Sequence, residues 1–346
     1  MRGAVGNRWP STAGSKLATI ADVRMCYPSV PQTLRGRTDG ADGSHGTSGA
    51  NEMRIMSQWV CLFVLGSCLL APPAQGRSGK AEVNGVTLPY EILGGGKALV
   101  MIHGWAVHMG FWDTDVHRLA REYTVIRYDR RGFGEASGKP DLTADASDLA
   151  ALLDTLELSR VHLMGHSQGA VVALTFALRY PEMVDGLILF GASAPPGFDL
   201  PPGGDTPPIP EWVAAGKAHG VDSLRAAIGR WAGEHFGDTS AEVTRRALAL
   251  LESYNGADLL DPAPPSNLAL PAGMEELGGI AAPTLIINGE REMPSLTVAA
   301  AVLAYTIPGA RRVLVPGGGH IVNWVEPERF AAEVSRFLRK VDVPAR

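Results

Sequence analysis

The pentapeptide Gly165-His166-Ser167-Gln168-Gly169 lies between an apolar run that ends at Met164 and a helix-forming run that begins at Ala170. This order predicts a strand, a sharp turn and a helix, with the serine at the turn. The flanking glycines leave room for the strained backbone that such a turn requires. The hydroxyl of Ser167 would then stand clear of the sheet at a helix N-terminus, where developing negative charge is stabilised. The pattern predicts a nucleophilic serine.

On both sides of this pentapeptide, predicted strands and helices alternate from Lys80 onward. Such alternation is typical of an α/β fold, in which helices cover both faces of a mostly parallel sheet. The predicted strands are 81–93 (a pair that turns at Asn84-Gly85), 98–102, 123–128, 161–164, 186–190, 284–287 and 312–315. Helices are predicted at 142–156 and 327–339.

A long insertion, from about residue 192 to 278, interrupts this alternation. It combines proline-rich stretches with helical patterns at 211–219, 224–235 and 241–254. An insertion between two strands of an open α/β sheet packs most naturally over the C-terminal ends of the strands. We therefore expect a helical lid above the predicted serine.

The N-terminal part has the features of a targeting segment rather than of a folded domain. Residues 1–52 lack apolar periodicity, which indicates a disordered or upstream extension, with translation starting at Met53 or Met56. Residues 53–76 combine a short basic start, an apolar run too short for a stable membrane span, and a small-residue exit. This layout predicts a cleaved signal peptide, a secreted or periplasmic protein, and a folded domain at 80–346.

A competing interpretation of the same segment is a lipoprotein signal, because Leu65-Gly66-Ser67-Cys68 resembles a lipidation motif. The apolar residues after Cys68 make lipid anchoring the less favoured alternative. All three cysteines precede residue 70, so the predicted domain has no disulfide, thiol nucleophile or cysteine metal site.

Charge and motif content exclude several other classes of function. The chain has 31 Lys and Arg against 36 Asp and Glu, a net charge of −5, and no basic block, which argues against a nucleic-acid partner. The histidines show no metal-ligand spacing, and no phosphate-binding or dinucleotide motif follows a predicted strand. We therefore expect no metal and no cofactor. The sequence does not define an oligomeric state.

Five motifs, in a fixed order at predicted strand ends, resemble the α/β-hydrolase superfamily over residues 83–338. They are His103-Gly104-Trp105, the run 128–134 (YDRRGFG), the pentapeptide 165–169, the run 283–290 (PTLIINGE) and Gly317-Gly318-Gly319-His320. The resemblance implies an α/β-hydrolase fold with a lid insertion, and active-site residues in the chain order nucleophile, acid, histidine.

The resemblance assigns catalytic roles to three residues. Ser167 is the expected nucleophile, and His320 is the base that activates its hydroxyl. The family usually places an aspartate three residues after the glycine that corresponds to Gly289, and this position holds Glu292. Glu290 is the nearest alternative acid, and spacing favours Glu292.

Further roles follow from the same resemblance. The backbone N–H groups of Trp105 and Gln168 are expected to form the oxyanion hole. His103 is expected to brace its loop by hydrogen bonds, and Asp129 and Arg130 are expected to fix a loop near the site.

With a serine at the turn, the chain resembles the esterases, lactonases, carbon–carbon bond hydrolases and perhydrolases of the superfamily. It differs at this position from haloalkane dehalogenases and epoxide hydrolases, which carry an aspartate there. The leading hypothesis is an exported serine hydrolase of the carboxylic ester hydrolase class, acting on a small or medium ester, lactone or amide. Two alternatives remain: a ligand-binding receptor with slow or no turnover, and a pseudo-enzyme whose acid, Glu292, is not functional.

Overall fold

In the computed structural model, the described residues are 76–193, 205–237, 240–261 and 274–343. They lie in one compact unit that spans Leu69–Arg346. The predicted extension 1–52, Cys68 and all but the last residue of the predicted signal segment lie outside the described residues. Within the described ranges, every helix is too short or too polar to cross a membrane.

A sheet of eight strands forms the centre of the described structure. Its strands are β1 (Arg77–Val83), β2 (Val86–Gly94), β3 (Ala98–Ile102), β4 (Thr124–Tyr128), β5 (Val161–His166), β6 (Val184–Phe190), β7 (Thr284–Gly289) and β8 (Arg311–Val315). They are ordered β1-β2-β4-β3-β5-β6-β7-β8. The pairs β1–β2 and β2–β4 are antiparallel, and all later pairs are parallel. The predicted mostly parallel α/β sheet is confirmed.

The first hairpin shows why the chain reverses where the sequence predicts. Asn84 and Gly85, between β1 and β2, have φ angles of 46° and 76°. Two successive left-handed residues form the tight turn whose twist matches that of the strands, and Asn-Gly is a favoured pair for it. The turn therefore sets the register in which Val83 pairs with Val86.

Helices cover both faces of the sheet. They are α1 (Asp113–Leu119), α2 (Leu142–Thr155), α3 (Gln168–Arg179), α4 (Ile209–His219), α5 (Val221–His235), α6 (Ala241–Leu251), α7 (Ala257–Leu260), α8 (Met274–Leu277), α9 (Pro294–Thr306), α10 (Val322–Val325) and α11 (Pro327–Asp342). Successive strand residues alternate between two apolar cores: Val100 packs with α2 and α3, whereas Met101 packs with α1 and α11. Because both faces are covered, the central strand β3 is continuously apolar and buried.

The insertion contains α4 to α8, and α4 to α6 largely match the helices predicted there. Trp212, Leu224 and Tyr254 of the insertion form a separate apolar cluster with Ala106 and Phe133. These last two residues follow β3 and β4, so the insertion packs over loops at the C-terminal ends of the strands, as expected for a lid. Helices α1 and α9 were not predicted, because their apolar residues show no clear periodic stripe.

Candidate active site

Ser167 lies between β5 and α3 with φ 53° and ψ −119°, in the strained left-handed region. Its neighbours explain how the chain holds this conformation. A Cβ at Gly169 would lie 2.1 Å from the Ile102 carbonyl oxygen, and one at Gly165 would lie 2.3 Å from the Gly169 carbonyl oxygen. Only glycine allows α3 to approach the sheet this closely, and this packing maintains the strain at Ser167.

The Ser167 side chain does not cap the helix that it precedes. At the start of α6, by contrast, the Ser240 hydroxyl accepts a hydrogen bond from the Val243 N–H at 3.1 Å. Serine usually caps in this second way. The Ser167 hydroxyl is half-buried and is not engaged in capping α3.

The predicted base, His320, pairs with the predicted acid. The Nδ1 of His320 lies 3.0 Å from Oε1 of Glu292, and both side chains are buried. Because a carboxylate only accepts, Nδ1 carries the proton, and Nε2 presents its lone pair on the opposite side of the ring. The Met293 N–H also donates to Glu292 Oε1 at 3.1 Å, which holds the carboxylate in place.

Ser167 and His320 both contact the short segment at the end of β6, Phe190-Gly191. The Ser167 N–H donates to the Phe190 carbonyl at 2.9 Å. The next residue, Gly191, has φ 58°, and a Cβ on it would lie 2.6 Å from Cε1 of His320. The imidazole therefore rests against the same short segment that holds the serine backbone. The two residues are 153 positions apart in the sequence and share one end of the sheet.

The alternative acid, Glu290, has a different environment. Its side chain is exposed, and its Oε2 accepts a hydrogen bond from the Gly317 N–H at 3.1 Å. Glu290 thus braces the loop before His320, whereas Glu292 contacts the imidazole itself. The structure brings Glu292, not Glu290, to the predicted base.

His166 supports this arrangement from inside the core. Its ring stacks on Phe111 at 4.4 Å and lies 4.7 Å from the His320 ring. Its Nε2–H donates to the His320 carbonyl at 3.1 Å. Burial, together with the neighbouring His320, holds the pKa of His166 well below its usual range. A neutral His166 is therefore a packing and hydrogen-bonding residue beside the turn.

The predicted oxyanion-hole residues lie on either side of the serine. A Cβ on Gly104 would be 3.3 Å from the Ser167 Cβ, so the peptide that joins Gly104 to Trp105 begins beside the serine. Among the described residues, no acceptor binds the Trp105 N–H. Gln168 directly follows the serine and is the first residue of α3.

His103 braces its own loop by hydrogen bonds, as expected. The Arg130 N–H donates to His103 Nε2 at 3.0 Å, so the ring proton lies on Nδ1, which donates to the Gly104 carbonyl at 2.8 Å. Burial, followed by the charge of Arg130, holds the pKa of His103 well below its usual range, which keeps the ring neutral. Within the described ranges, no cluster of three or more His, Cys, Asp or Glu side chains forms a metal site.

A family model described as the alpha/beta hydrolase family matches residues 99–333. The chain belongs to this family. The match spans β3 to α11, so it includes the turn at Ser167, the insertion and the loop that carries His320. The protein is accordingly a hydrolase by family and by fold.

Several individual proteins are similar to this chain in sequence or in structure. A protein of Rhizobium rhizogenes, provisionally named carbamate hydrolase RutD, is 29% identical over 278 residues, covering 75% of this chain and 97% of its own. A thermophilic esterase from Thermogutta terrifontis matches with a TM-score of 0.65 and 25% identity over 77% of this chain and all (100%) of its own. Est816, an N-acyl homoserine lactone degrading enzyme, matches with a TM-score of 0.61 and 26% identity, over 75% and 100% of the two chains.

Two contacts between the insertion and this α/β-hydrolase site were not predicted. The indole Nε1–H of Trp105 donates to Asp258 Oδ2 at 2.6 Å. At the other side of the site, the His320 N–H donates to the Phe236 carbonyl at 2.8 Å, and their rings lie 4.6 Å apart. Neither Asp258 nor Phe236 belongs to a motif, so no local sequence signal identifies them.

Proposed function

We propose that this α/β hydrolase is a serine hydrolase that cleaves a small or medium carboxylic ester, lactone or amide through an acyl-enzyme. The observation that carries the proposal is the buried pair of His320 and Glu292 beside the strained Ser167. A serine, a histidine and a carboxylate in this relation form the arrangement that activates a hydroxyl for attack on a carbonyl.

In the first half of the proposed reaction, Ser167 Oγ attacks the substrate carbonyl carbon while His320 Nε2 takes the hydroxyl proton. Glu292 keeps the imidazole in the required tautomer and stabilises the imidazolium that forms. The carbonyl oxygen becomes an oxyanion, which the N–H groups of Trp105 and Gln168 stabilise. His320 then gives its proton to the leaving alcohol or amine as the bond to it breaks.

In the second half, a water molecule replaces the leaving group. His320 takes a proton from the water, whose oxygen attacks the acyl carbon, and the same two N–H groups stabilise the second oxyanion. When this intermediate collapses, the proton returns to Ser167 Oγ and the carboxylic acid leaves. No step requires a group beyond the residues of this chain and water.

The surroundings of Trp105 support a substrate with an apolar portion. Its indole stacks on Trp212 at 6.1 Å and meets Tyr254 edge-on at 5.4 Å. Phe133 extends this buried aromatic cluster by stacking on Tyr254 at 6.4 Å. Apolar side chains next to a few polar groups are the usual composition of a small-molecule site. The esterase and lactone-degrading relatives support the same substrate class, and the carbamate hydrolase name adds carbamates to the compounds worth assaying.

Labelling with a fluorophosphonate probe and assays with p-nitrophenyl esters of increasing acyl length test the proposal. We expect rapid labelling and turnover by the parent protein, and neither by Ser167→Ala. A loss of rate of about 10⁴-fold or more is the usual result of removing such a nucleophile. Labelling without turnover on esters, lactones, amides and carbamates would instead indicate the receptor alternative. Labelling of Ser167→Ala at the parent rate would refute the nucleophile.

We also propose that residues 53–76 direct export and are removed, with the mature chain secreted or periplasmic. The basic start, apolar run and small-residue exit of this segment support the proposal. N-terminal sequencing of the exported protein tests it. A first residue near position 77 is expected, whereas a first residue before position 50 would contradict the proposal.

A further inference from the structure

Arg130 is completely buried and contacts both sides of the predicted oxyanion hole. Its Nη2 donates to the Gly104 carbonyl at 3.1 Å and to the Gln168 Oε1 at 2.7 Å. Its Nη1 donates to Asp145 Oδ2 at 2.6 Å, and Asp145 is buried as well. One guanidinium therefore joins the loop after β3 to the start of α3, with its charge balanced by a carboxylate on α2.

The contact with Gly104 fixes the direction of a specific N–H group. The carbonyl of Gly104 and the N–H of Trp105 belong to one planar trans peptide, so they point in opposite directions. The Gly104 oxygen accepts hydrogen bonds from Arg130 Nη2 and from His103 Nδ1. A peptide held at its oxygen by two donors presents its N–H on the far side with little freedom to rotate.

The contact with Gln168 acts on the other N–H group. Gln168 follows the serine directly, and its side chain is buried. When Arg130 holds the amide oxygen of this side chain, it restrains the residue whose backbone N–H is assigned to the oxyanion hole in the proposed function. The two restraints originate from the same nitrogen atom, so a movement of the guanidinium would displace both N–H groups relative to Ser167.

We propose that Arg130 is the positioning residue of the oxyanion hole: it sets the spacing between the Trp105 and Gln168 N–H groups without touching the substrate. This inference rests on the proposed serine hydrolase function and adds a residue to its machinery. Oxyanion stabilisation depends on donors that are already in position before charge develops. The planar guanidinium holds Gly104 and Gln168 through Nη2 while its Nη1 is anchored on Asp145. A lysine has one nitrogen on a flexible chain, so it cannot keep the anchor and both restraints in this fixed geometry.

Arg130→Lys is the main test, measured as kcat and KM on a p-nitrophenyl ester and as Ki for a trifluoromethyl ketone that forms an oxyanion on Ser167. Removal of one oxyanion donor costs about 10²- to 10³-fold in kcat, so a misplaced pair of donors should cost about 10- to 100-fold. We expect this loss in kcat with KM changed by less than about threefold, because the ground state depends little on the oxyanion hole. Ki should rise in parallel with the loss in kcat/KM.

Arg131→Lys is the matched control. Arg131 is the next residue, and its Nε donates to Asp148 Oδ2 at 2.6 Å, another buried carboxylate of α2. It makes no hydrogen bond to Gly104 or Gln168. The two substitutions remove comparable ion-pair contacts, and only Arg130→Lys should change kcat and Ki at temperatures where both variants are folded. An equal loss of kcat in both variants would overturn the proposal.

Gln168→Met keeps the test decisive if Arg130→Lys does not fold. It preserves side-chain volume and the backbone N–H, and it removes the oxygen that Arg130 holds. We expect kcat to fall about 3- to 10-fold with KM nearly unchanged, since one of two restraints is lost. Parent-like kcat and Ki in this variant, or in a folded Arg130→Lys, would overturn the proposal. If the parent protein itself fails to react with a fluorophosphonate, the proposed function falls first and this inference falls with it.

Discussion

The indole Nε1–H of Trp105 and the carboxylate of Asp258 form a hydrogen bond of 2.6 Å between residues 153 positions apart. The second carboxylate oxygen of Asp258 accepts a hydrogen bond from the Tyr254 hydroxyl, also at 2.6 Å. Through Asp258, the short helix α7 of the insertion thus holds the side chain of Trp105, a residue predicted to contribute to the oxyanion hole. The lid is attached to the loop after β3 by a specific polar contact as well as by apolar packing.

Asp258→Ala tests the effect of this attachment. The change leaves the indole N–H and the hydroxyl of a buried tyrosine without their acceptor, which should lower the free energy of unfolding by about 1–3 kcal/mol. We expect kcat on an ester to fall about tenfold, because the oxyanion loop loses a restraint. Urea denaturation and steady-state kinetics measure the two effects.

Asp222→Ala is the control for this prediction. Asp222 also lies in the insertion, on α5, and its exposed carboxylate pairs with Arg225 across one helical turn. Exposed pairs of this kind contribute about 0.3–0.5 kcal/mol, so neither stability nor kcat should change appreciably. If Asp258→Ala behaved like this control, the contact with Trp105 would have no role in positioning.

The acid assignment is tested by comparing Glu292→Gln with Glu290→Gln. Glutamine at 292 can still contact His320 Nδ1 but cannot stabilise the imidazolium, so we expect kcat to fall by about 10²- to 10⁴-fold. Glutamine at 290 can still accept from the Gly317 N–H, so we expect kcat within about threefold of the parent value. Full activity in Glu292→Gln would refute the assignment of Glu292 as the acid. If, in addition, Glu290→Gln were inactive, Glu290 would be the acid instead.

The close approach of α3 to the sheet predicts that replacing different glycines by alanine has very different effects on stability. In Gly169→Ala the new Cβ would lie 2.1 Å from a backbone oxygen of β3, which cannot move without disrupting the strand. We expect a loss of about 3 kcal/mol or more in the free energy of unfolding, or no folded protein. Gly95 is exposed with no atom within 4 Å of the corresponding position, so Gly95→Ala should change stability by less than about 0.5 kcal/mol. Equal denaturation midpoints would contradict this account of the turn.

A buried carboxylate on α1 predicts a pH-dependent stability. Asp115 is fully buried and accepts a hydrogen bond from Asn323 Nδ2 at 2.7 Å, while its other oxygen and the Asn323 oxygen have no partner among the described residues. Burial raises the pKa of Asp115 from 3.8 to about 7, against the opposing effects of Asn323, Arg118 and Arg246. At pH values between these two pKa values, the native state therefore keeps a proton on Asp115 that the unfolded chain has lost.

The sign of the effect follows from proton linkage. Between pH 4 and pH 7 the native state binds more protons at this site than the unfolded state, so the contribution of Asp115 to stability falls as pH rises through the window. Asp115→Asn removes the titrating group, and we expect the variant to lose less stability than the parent between pH 4 and pH 7. Urea denaturation at several pH values measures this. An identical pH dependence in parent and variant would show that Asp115 does not titrate in this range.

The sequence was sufficient for the features that depend on neighbouring residues. The turn at Ser167 follows from adjacent glycines and the apolar run before them, and the first hairpin follows from Asn84-Gly85. The contact of Glu292, rather than Glu290, with His320 agrees with the position of the family's acid three residues after the glycine that corresponds to Gly289. Each of these depends on local backbone geometry, which local sequence determines.

The contacts that join distant segments could not be predicted in the same way. Nothing near Arg130 indicates that its side chain reaches Gln168, 38 residues later, because the contact depends on how α3 packs against β3. Likewise, the carbonyl of Phe236 contacts His320 because α5 ends over the sheet, and any residue type offers the same carbonyl. Such contacts arise from the assembled fold, so a motif of side-chain types does not record them.

The insertion touches both halves of the site, through Asp258 on Trp105 and through Phe236 on His320. In many enzymes a lid insertion can diverge or be exchanged to admit new compounds while the reaction centre stays intact. Here the same segment that would shape selectivity also contacts the residues to which the proposed function assigns bond cleavage. Directed evolution of this lid should therefore change selectivity and turnover rate together. Variants selected only for acceptance of a new compound would often turn over slowly.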